Sequence, residues 1–117
     1  MNKISMKHVR EILGTTEEVF FINVLPKKEY IKGHIPDTIN IPFLNEDDFV
    51  QRVEKIVPGK THKIVLYSSN EHCCESAEAA KALQKRGFSS VMNFAGGLHE
   101  WIEAGGEVEE GKHALIR

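Results

Sequence analysis

The sequence predicts an α/β domain built on a mostly parallel sheet of four or five strands, with helices on both faces. Three observations carry this expectation. Apolar runs of strand length alternate along the chain with amphipathic helical patterns. Two of those runs, "VFFINVL" and "KIVLY", are apolar on nearly every residue, the pattern of strands covered on both faces. Capping and breaking residues stand where the helices should begin and end. "KIVLY" leaves no polar face for solvent, so it is expected at the centre of the sheet.

The elements follow in order. "SMKHVREILG" is a short helix capped by Ser5, with Met6, Val9, Ile12 and Leu13 on one face and Gly14 at its end. "VFFINVL", Val19 to Leu25, is the first predicted strand. "PKKEYIKG" supplies one or two helical turns between Pro26 and Gly33. In "HIPDTINIP" only "TINI", between the prolines, is free to be a short strand. Asn45 caps "EDDFVQRVEKIV", whose Phe49, Val50, Val53, Ile56 and Val57 form a helical stripe. "PGKTH" turns the chain into "KIVLY". A helix over "SAEAAKALQKRG" follows, with Ala77, Ala80 and Leu83 on its apolar face and Gly87 as its stop. "SSVMNF" is a strand, and "LHEWIEAGG" is a last helix bearing Leu98, Trp101 and Ile102. The final "ALIR" offers a short apolar segment for docking.

The 117 residues imply one domain over 1–117, with a core of about 19–108 and a polar tail at 109–117. The formal net charge is −2, with both signs interspersed. That excludes the basic stripe of a nucleic-acid binder. No apolar run is long enough to span a bilayer, so no membrane is expected. "MNKISMKHVREIL" has no apolar h-region and does not read as a secretory signal. The chain is therefore read as cytoplasmic, where its two adjacent cysteines are expected as free thiols.

Those cysteines lie in "KIVLYSSNEHCCESAEAAKAL", Lys63 to Leu83. A strand ends abruptly in a polar loop, and a helix follows. In open parallel sheets the working site lies beyond the carboxyl ends of the strands. Unpaired N–H groups at a helix start can stabilise an anion there, and a thiolate is one such anion.

The flanking residues carry a resemblance. "FFINVLPKKEYIKGHIPDTINIP" is similar to the first signature of rhodanese-like domains, with its Gly-His-Ile-Pro and Asn-Ile-Pro. "GFSSVMNFAGGLHEWIEAGGEV" resembles the second, in which a strand leads into Gly-Gly and a helix with a buried tryptophan. The resemblance runs from about Val19 to Val108. It implies the rhodanese-like fold and a sulfurtransferase or persulfide carrier. In that family a cysteine directly after the central strand takes up sulfane sulfur as a persulfide. The loop behind it holds the anion with backbone N–H groups. A sulfane-sulfur donor and a thiol acceptor, either of which can be a protein, are the implied partners. No cofactor and no metal is called for.

The sequence departs from that pattern at the residue that matters most. Ser68 stands directly after the strand, and serine cannot carry a persulfide. The usual Asp and Arg of the first signature are Asn23 and Leu25. The loop resembles a longer variant, Cys-x4-Cys-x2-Ser, in which Ser68 replaces the first cysteine, Cys73 is the second and Ser76 opens the helix. The related phosphatases need Cys-x5-Arg. Six residues beyond Cys73 and Cys74 stand Ala79 and Ala80, so no guanidinium is placed to grip a phosphate.

The catalytic candidate is therefore Cys73, in a loop of Ser68, Ser69, Asn70, Glu71, His72, Cys74, Glu75 and Ser76. Against a reactive Cys73 stands a small buried thiol that only packs. Cys74 could be a resolving thiol, but a ring between neighbours strains disulfide geometry. His72 reads as a solvated loop residue, His34 as structural, His99 as a surface helical residue, and Trp101 as core. Ser76 is expected as the helix cap. Three consecutive side chains, His72, Cys73 and Cys74, do not converge on one metal ion. Glu71, Glu75 and Glu78 surround the loop with no nearby Lys or Arg in sequence. Carboxylates within a Debye length, about 8 Å, repel an anionic donor, so thiosulfate transfer is expected to be weak. The rival reading is a catalytically inactive rhodanese-homology module that binds or regulates a partner.

Overall fold

The computed structural model of the chain describes residues 2–15 and 18–111, with Asn2 described by its backbone alone. The docking expected of "ALIR" lies outside the described residues.

Ten elements follow one another: β1 (Asn2–Lys3), α1 (Met6–Leu13), β2 (Val19–Asn23), α2 (Lys27–Lys32), β3 (Ile39–Asn40), α3 (Glu46–Ile56), β4 (Lys63–Tyr67), α4 (Glu75–Lys85), β5 (Val91–Phe94) and α5 (Gly97–Glu103). The sheet order is β1-β5-β4-β2-β3. Every pairing in it is parallel. β4 is central, as its apolar run predicts, and Ile64 to Tyr67 are all buried.

The period of two along each strand divides the core. Ile22, Ile64, Leu66 and Val91 face one layer, where α3 brings Phe49, Val50 and Val53 and α4 brings Ala79, Ala80 and Leu83. Phe21, Val65, Tyr67 and Phe94 face the other, against Val9 and Ile12 of α1 and Trp101 of α5. Each large side chain so buried contributes about 1.5–3 kcal/mol.

The caps at Ser5 and Asn45 form as expected: each accepts a hydrogen bond from the N–H three residues on, His8 at 3.2 Å and Asp48 at 2.9 Å. Three of the predicted apolar stripes are wider than the buried faces. Leu13, Ile56 and Ile102 are each at least two-fifths exposed. A short helix resting on a sheet presents only its central line to the core. Ala79, rather than Ala77, packs in the α4 layer.

Two differences bear on the site. β1 was not expected; it pairs with β5 in the register Asn2↔Met92 and Lys3↔Asn93. The tail expected from 109 onward begins as docked chain. Glu109 and His34 exchange backbone hydrogen bonds of 2.8 and 2.9 Å, and the Gly111 N–H donates to Ile31 O at 2.9 Å.

Candidate functional site

The loop of residues 68–74 leaves the carboxyl end of β4 and enters α4. Its base is held from two sides. The α5 start docks beneath it: Leu98 N–H donates to Ser68 O at 2.9 Å and His99 N–H to Ser69 O at 2.8 Å. Gly97 has φ +60°, and a Cβ there would lie 2.5 Å from Ser68 O. The Gly-Gly of "NFAGGLHEW" is thus a device that brings the last helix against the loop.

The second support is Tyr67, the last residue of β4. Its hydroxyl accepts from the Ile35 N–H at 3.0 Å and lies 3.1 Å from Thr38 Oγ1. Thr38 Oγ1 donates to Ile35 O at 2.7 Å. With that single proton committed, Tyr67 is the donor to Thr38. Burial in this network pushes the Tyr67 phenol up to about 12, and burial raises Tyr30 as well. The "GHIPDT" segment is thereby pinned to the strand that carries the loop. His34 is fully buried within it, stacked on Tyr30 with ring centres 3.6 Å apart and with Nδ1 2.7 Å from Tyr30 O. This is the structural position expected for His34. Asn23, where the family has Asp, is also structural: its Oδ1 accepts from the Leu25 N–H at 2.9 Å.

Within the loop, Asn70 organises the turn. Its Oδ1 accepts from the His72 N–H at 2.8 Å, and its backbone carbonyl accepts from the Cys73 N–H at 3.1 Å. Ser68 is fully buried, and its Oγ has no hydrogen-bond partner among the described residues. His72 is exposed, Cys73 is half-buried and Cys74 is exposed. The Cys73 thiol donates to Glu75 Oε1 at 2.6 Å. Cys74 Sγ lies a longer 3.8 Å from Glu78 Oε1. The bond recorded at Cys73 thus ends on a carboxylate and not in a ring of backbone donors.

Ser76 is not the cap of α4. The helix begins at Glu75, Cys74 occupies the cap position with helical backbone angles and no side-chain cap bond, and Ser76 is buried inside the first turn. The helix starts two residues earlier than a Ser76 cap would set, and Glu75 and Glu78 offset the positive helix end instead.

Both thiols open onto a cavity of about 240 Å³. Glu71 and His72 come to it from the loop, Ala77 from α4, Lys3 from β1, and Asn93 and Ala95 from β5 and its end. Lys3 corrects the expectation of a site without a nearby cation. The pairing of β1 brings in an ammonium group seventy residues away in sequence, which no local reading of "SSNEHCCES" could supply. On the other side of Glu71, a second cavity is lined by His99, Glu100 and Glu103. His99 is exposed on α5, 3.4 Å from Glu103. Trp101 is core, with its indole N–H donating to Glu107 O at 2.6 Å. A larger cleft of about 450 Å³ lies away from the thiols, between Asn40 and Ile41 on one side and α3 on the other. Among the described residues no helix is long and apolar enough to cross a membrane.

The parallel sheet, the Gly-Gly hinge under the loop and the buried "GHIP" segment coincide with a family match. The rhodanese-like domain profile covers residues 5–104. The chain belongs to the rhodanese-like domain family. The match starts at Ser5, so α1 lies within it, ahead of the Val19 expected from sequence. Among relatives, the chain is 32% identical over 94 residues to the HTH-type transcriptional regulator Rv0324 of Mycobacterium tuberculosis, covering 80% of this chain and 39% of that protein. It is 23% identical over 112 residues to the thiosulfate:glutathione sulfurtransferase of Saccharomyces cerevisiae, covering 88% and 79%. The crystal structure of a thiosulfate sulfurtransferase from Pseudomonas aeruginosa superposes with a TM-score of 0.83 at 23% identity, over 95% of this chain and 20% of that one. The chain spans from 24% to 79% of the length of the first relatives it matches.

Proposed function

We propose that this rhodanese-like domain accepts and carries sulfane sulfur on Cys73. The observation that supports this reading is the position of Cys73. It is half-buried at the mouth of a cavity beyond the carboxyl end of the central strand, while Ser68, at the usual family position, is sealed in the interior. The relatives include a thiosulfate:glutathione sulfurtransferase.

The step balances without a cofactor. The Cys73 thiol loses its proton to solvent, breaking its bond to Glu75. The thiolate attacks the outer sulfur of a persulfide, R–S–SH. The new S–S bond forms on Cys73 as the donor S–S bond breaks, and the electron pair leaves with the thiolate R–S⁻. A thiol acceptor later attacks the outer sulfur and restores Cys73. The donor is a protein or small organic persulfide rather than thiosulfate, because Glu71, Glu75 and Glu78 disfavour a dianion. The site is cytoplasmic in this reading, and it lies within a single domain over 1–117.

The second reading is a binding module without catalysis. It is favoured by the hydrogen bond from Cys73 to Glu75, which belongs to the protonated and less nucleophilic thiol. It also agrees with a relative in which a similar domain forms part of a transcriptional regulator.

Intact mass after treatment with a persulfide donor separates the two. Wild type and Cys74→Ser should gain a +32 Da sulfur adduct, and Cys73→Ser should not. An adduct lost only in Cys74→Ser moves the site by one residue. No adduct in any form leaves the binding module.

A further inference from the structure

We infer that Lys3 and Asn93 form an anion-holding wall of the thiol cavity, and that it receives the leaving thiolate of a small organic persulfide. The role in sulfur transfer rests on the assignment of Cys73 above; the anion-holding property does not.

Lys3 and Asn93 are register partners on the adjacent parallel strands β1 and β5. Register partners project to the same face of a sheet. Both line the cavity into which Cys73 and Cys74 open. They differ in burial in a useful way. Lys3 is exposed, so its ammonium can reach a bound group without being desolvated. Asn93 is only 4% exposed, yet its Oδ1 has no hydrogen-bond partner among the described residues. A buried amide oxygen with no donor facing it costs stability. Such an amide is also not held in one orientation about its terminal bond, so its NH₂ end can face the cavity.

The other charged groups of the cavity and its edge are carboxylates: Glu71 lines it, Glu75 meets Cys73, and Glu78 approaches Cys74. Against these, one ammonium and one amide on a single wall make a polarised site. A dianion crosses an acidic rim at a disadvantage. The neutral R–S–SH form of a persulfide meets no such barrier, and as its S–S bond breaks the negative charge passes from the Cys73 thiolate to the departing R–S⁻. The wall is then complementary to the product thiolate rather than to the incoming donor. Donors placed where charge develops are the ones that accelerate a step.

Alkylation tests the wall without requiring sulfur transfer. Iodoacetate carries a negative charge and iodoacetamide is its neutral counterpart. In a Cys74→Ser background, where Cys73 alone reports, the ratio of their rates at low ionic strength should fall about threefold with Lys3→Gln. Lys3→Arg should keep the ratio, and 1 M salt, with a Debye length of about 3 Å, should erase the difference. Asn93→Ala should lower the ratio as well. If that variant does not fold, the exposed Lys3 variants still decide. An equal ratio in the parent and in Lys3→Gln overturns the inference. A Lys3-dependent ratio without any +32 Da adduct upholds the wall and removes only the sulfur assignment.

Discussion

The Cys73 thiol donates a hydrogen bond to Glu75 Oε1 at 2.6 Å, so the proposed sulfur-carrying cysteine is tied to an acceptor two residues on. The bond exists only while the thiol keeps its proton, and the carboxylate adds a like charge beside any thiolate. Glu75→Gln should therefore raise the Cys73 alkylation rate with iodoacetamide at neutral pH by about three- to tenfold. The same rate measured across ionic strengths should converge for the two proteins. A slower rate in Glu75→Gln would mean instead that Glu75 takes the proton during attack.

Thiosulfate should be a poor substrate for this site. The residue after β4 is a buried serine, and the thiol cavity sets one exposed Lys3 against Glu71 at its edge and Glu75 on the thiol. Steady-state thiosulfate:cyanide sulfurtransfer should be far below the ordinary enzyme median of about 10 per second. Turnover near that value would show that the carboxylates and Ser68 do not limit the chain.

Ser68 makes a cleaner stability prediction. Its Oγ is buried with no partner among the described residues, while its backbone carbonyl is occupied by Leu98. An unpaired buried hydroxyl costs about 1–3 kcal/mol. Ser68→Ala removes it and leaves only a small void, so urea unfolding should show a gain of up to about 1 kcal/mol. A loss of similar size would reveal a hydrogen-bonding partner for the hydroxyl, such as an ordered water.

These cases show how far the sequence reaches. The parallel sheet, the central position of "KIVLY" and the caps at Ser5 and Asn45 are written in local periodicity and capping chemistry, and they form. β1 is not legible, because Asn2 and Lys3 carry no apolar signal; their pairing with β5 is a tertiary choice. The place of Lys3 in the cavity is illegible for the same reason. Ser76 has the right residue type for a cap and the right place in the family variant. The loop nevertheless feeds the helix two residues earlier, and Ser76 is buried. The Cys73–Glu75 contact lies within the sequence's reach, since both residues belong to the candidate loop, but it is the fold of the loop that turns the thiol to the carboxylate.

Gly97 links the last helix to the loop. With φ +60° and a Cβ position 2.5 Å from Ser68 O, it tolerates no side chain without movement of one partner. Gly97→Ala should cost about 1–3 kcal/mol in chemical unfolding. It should also change the alkylation rate of Cys73, because the displaced backbone is that of Ser68 and Ser69. A variant with lowered stability and an unchanged Cys73 rate would show that the base of the loop does not set the thiol's position.

Tyr67 should make the fold sensitive to alkali. Its phenol is pushed up to about 12 by burial, against about 10 in the unfolded chain. The folded state holds the proton more tightly, so its contribution is fully present below pH 10. It is lost between pH 10 and about 12, as the unfolded chain ionises first. Two pH units correspond to about 3 kcal/mol. Tyr30, also raised, titrates in the same direction and steepens the fall. Urea midpoints measured from pH 8 to 12 should be level at first and then drop. Tyr67→Phe should flatten that drop. At neutral pH it should be less stable by about 1–3 kcal/mol, because the Ile35 N–H loses its acceptor. An alkaline drop of equal depth in Tyr67→Phe would place the titrating group elsewhere, with Tyr30 the next to replace.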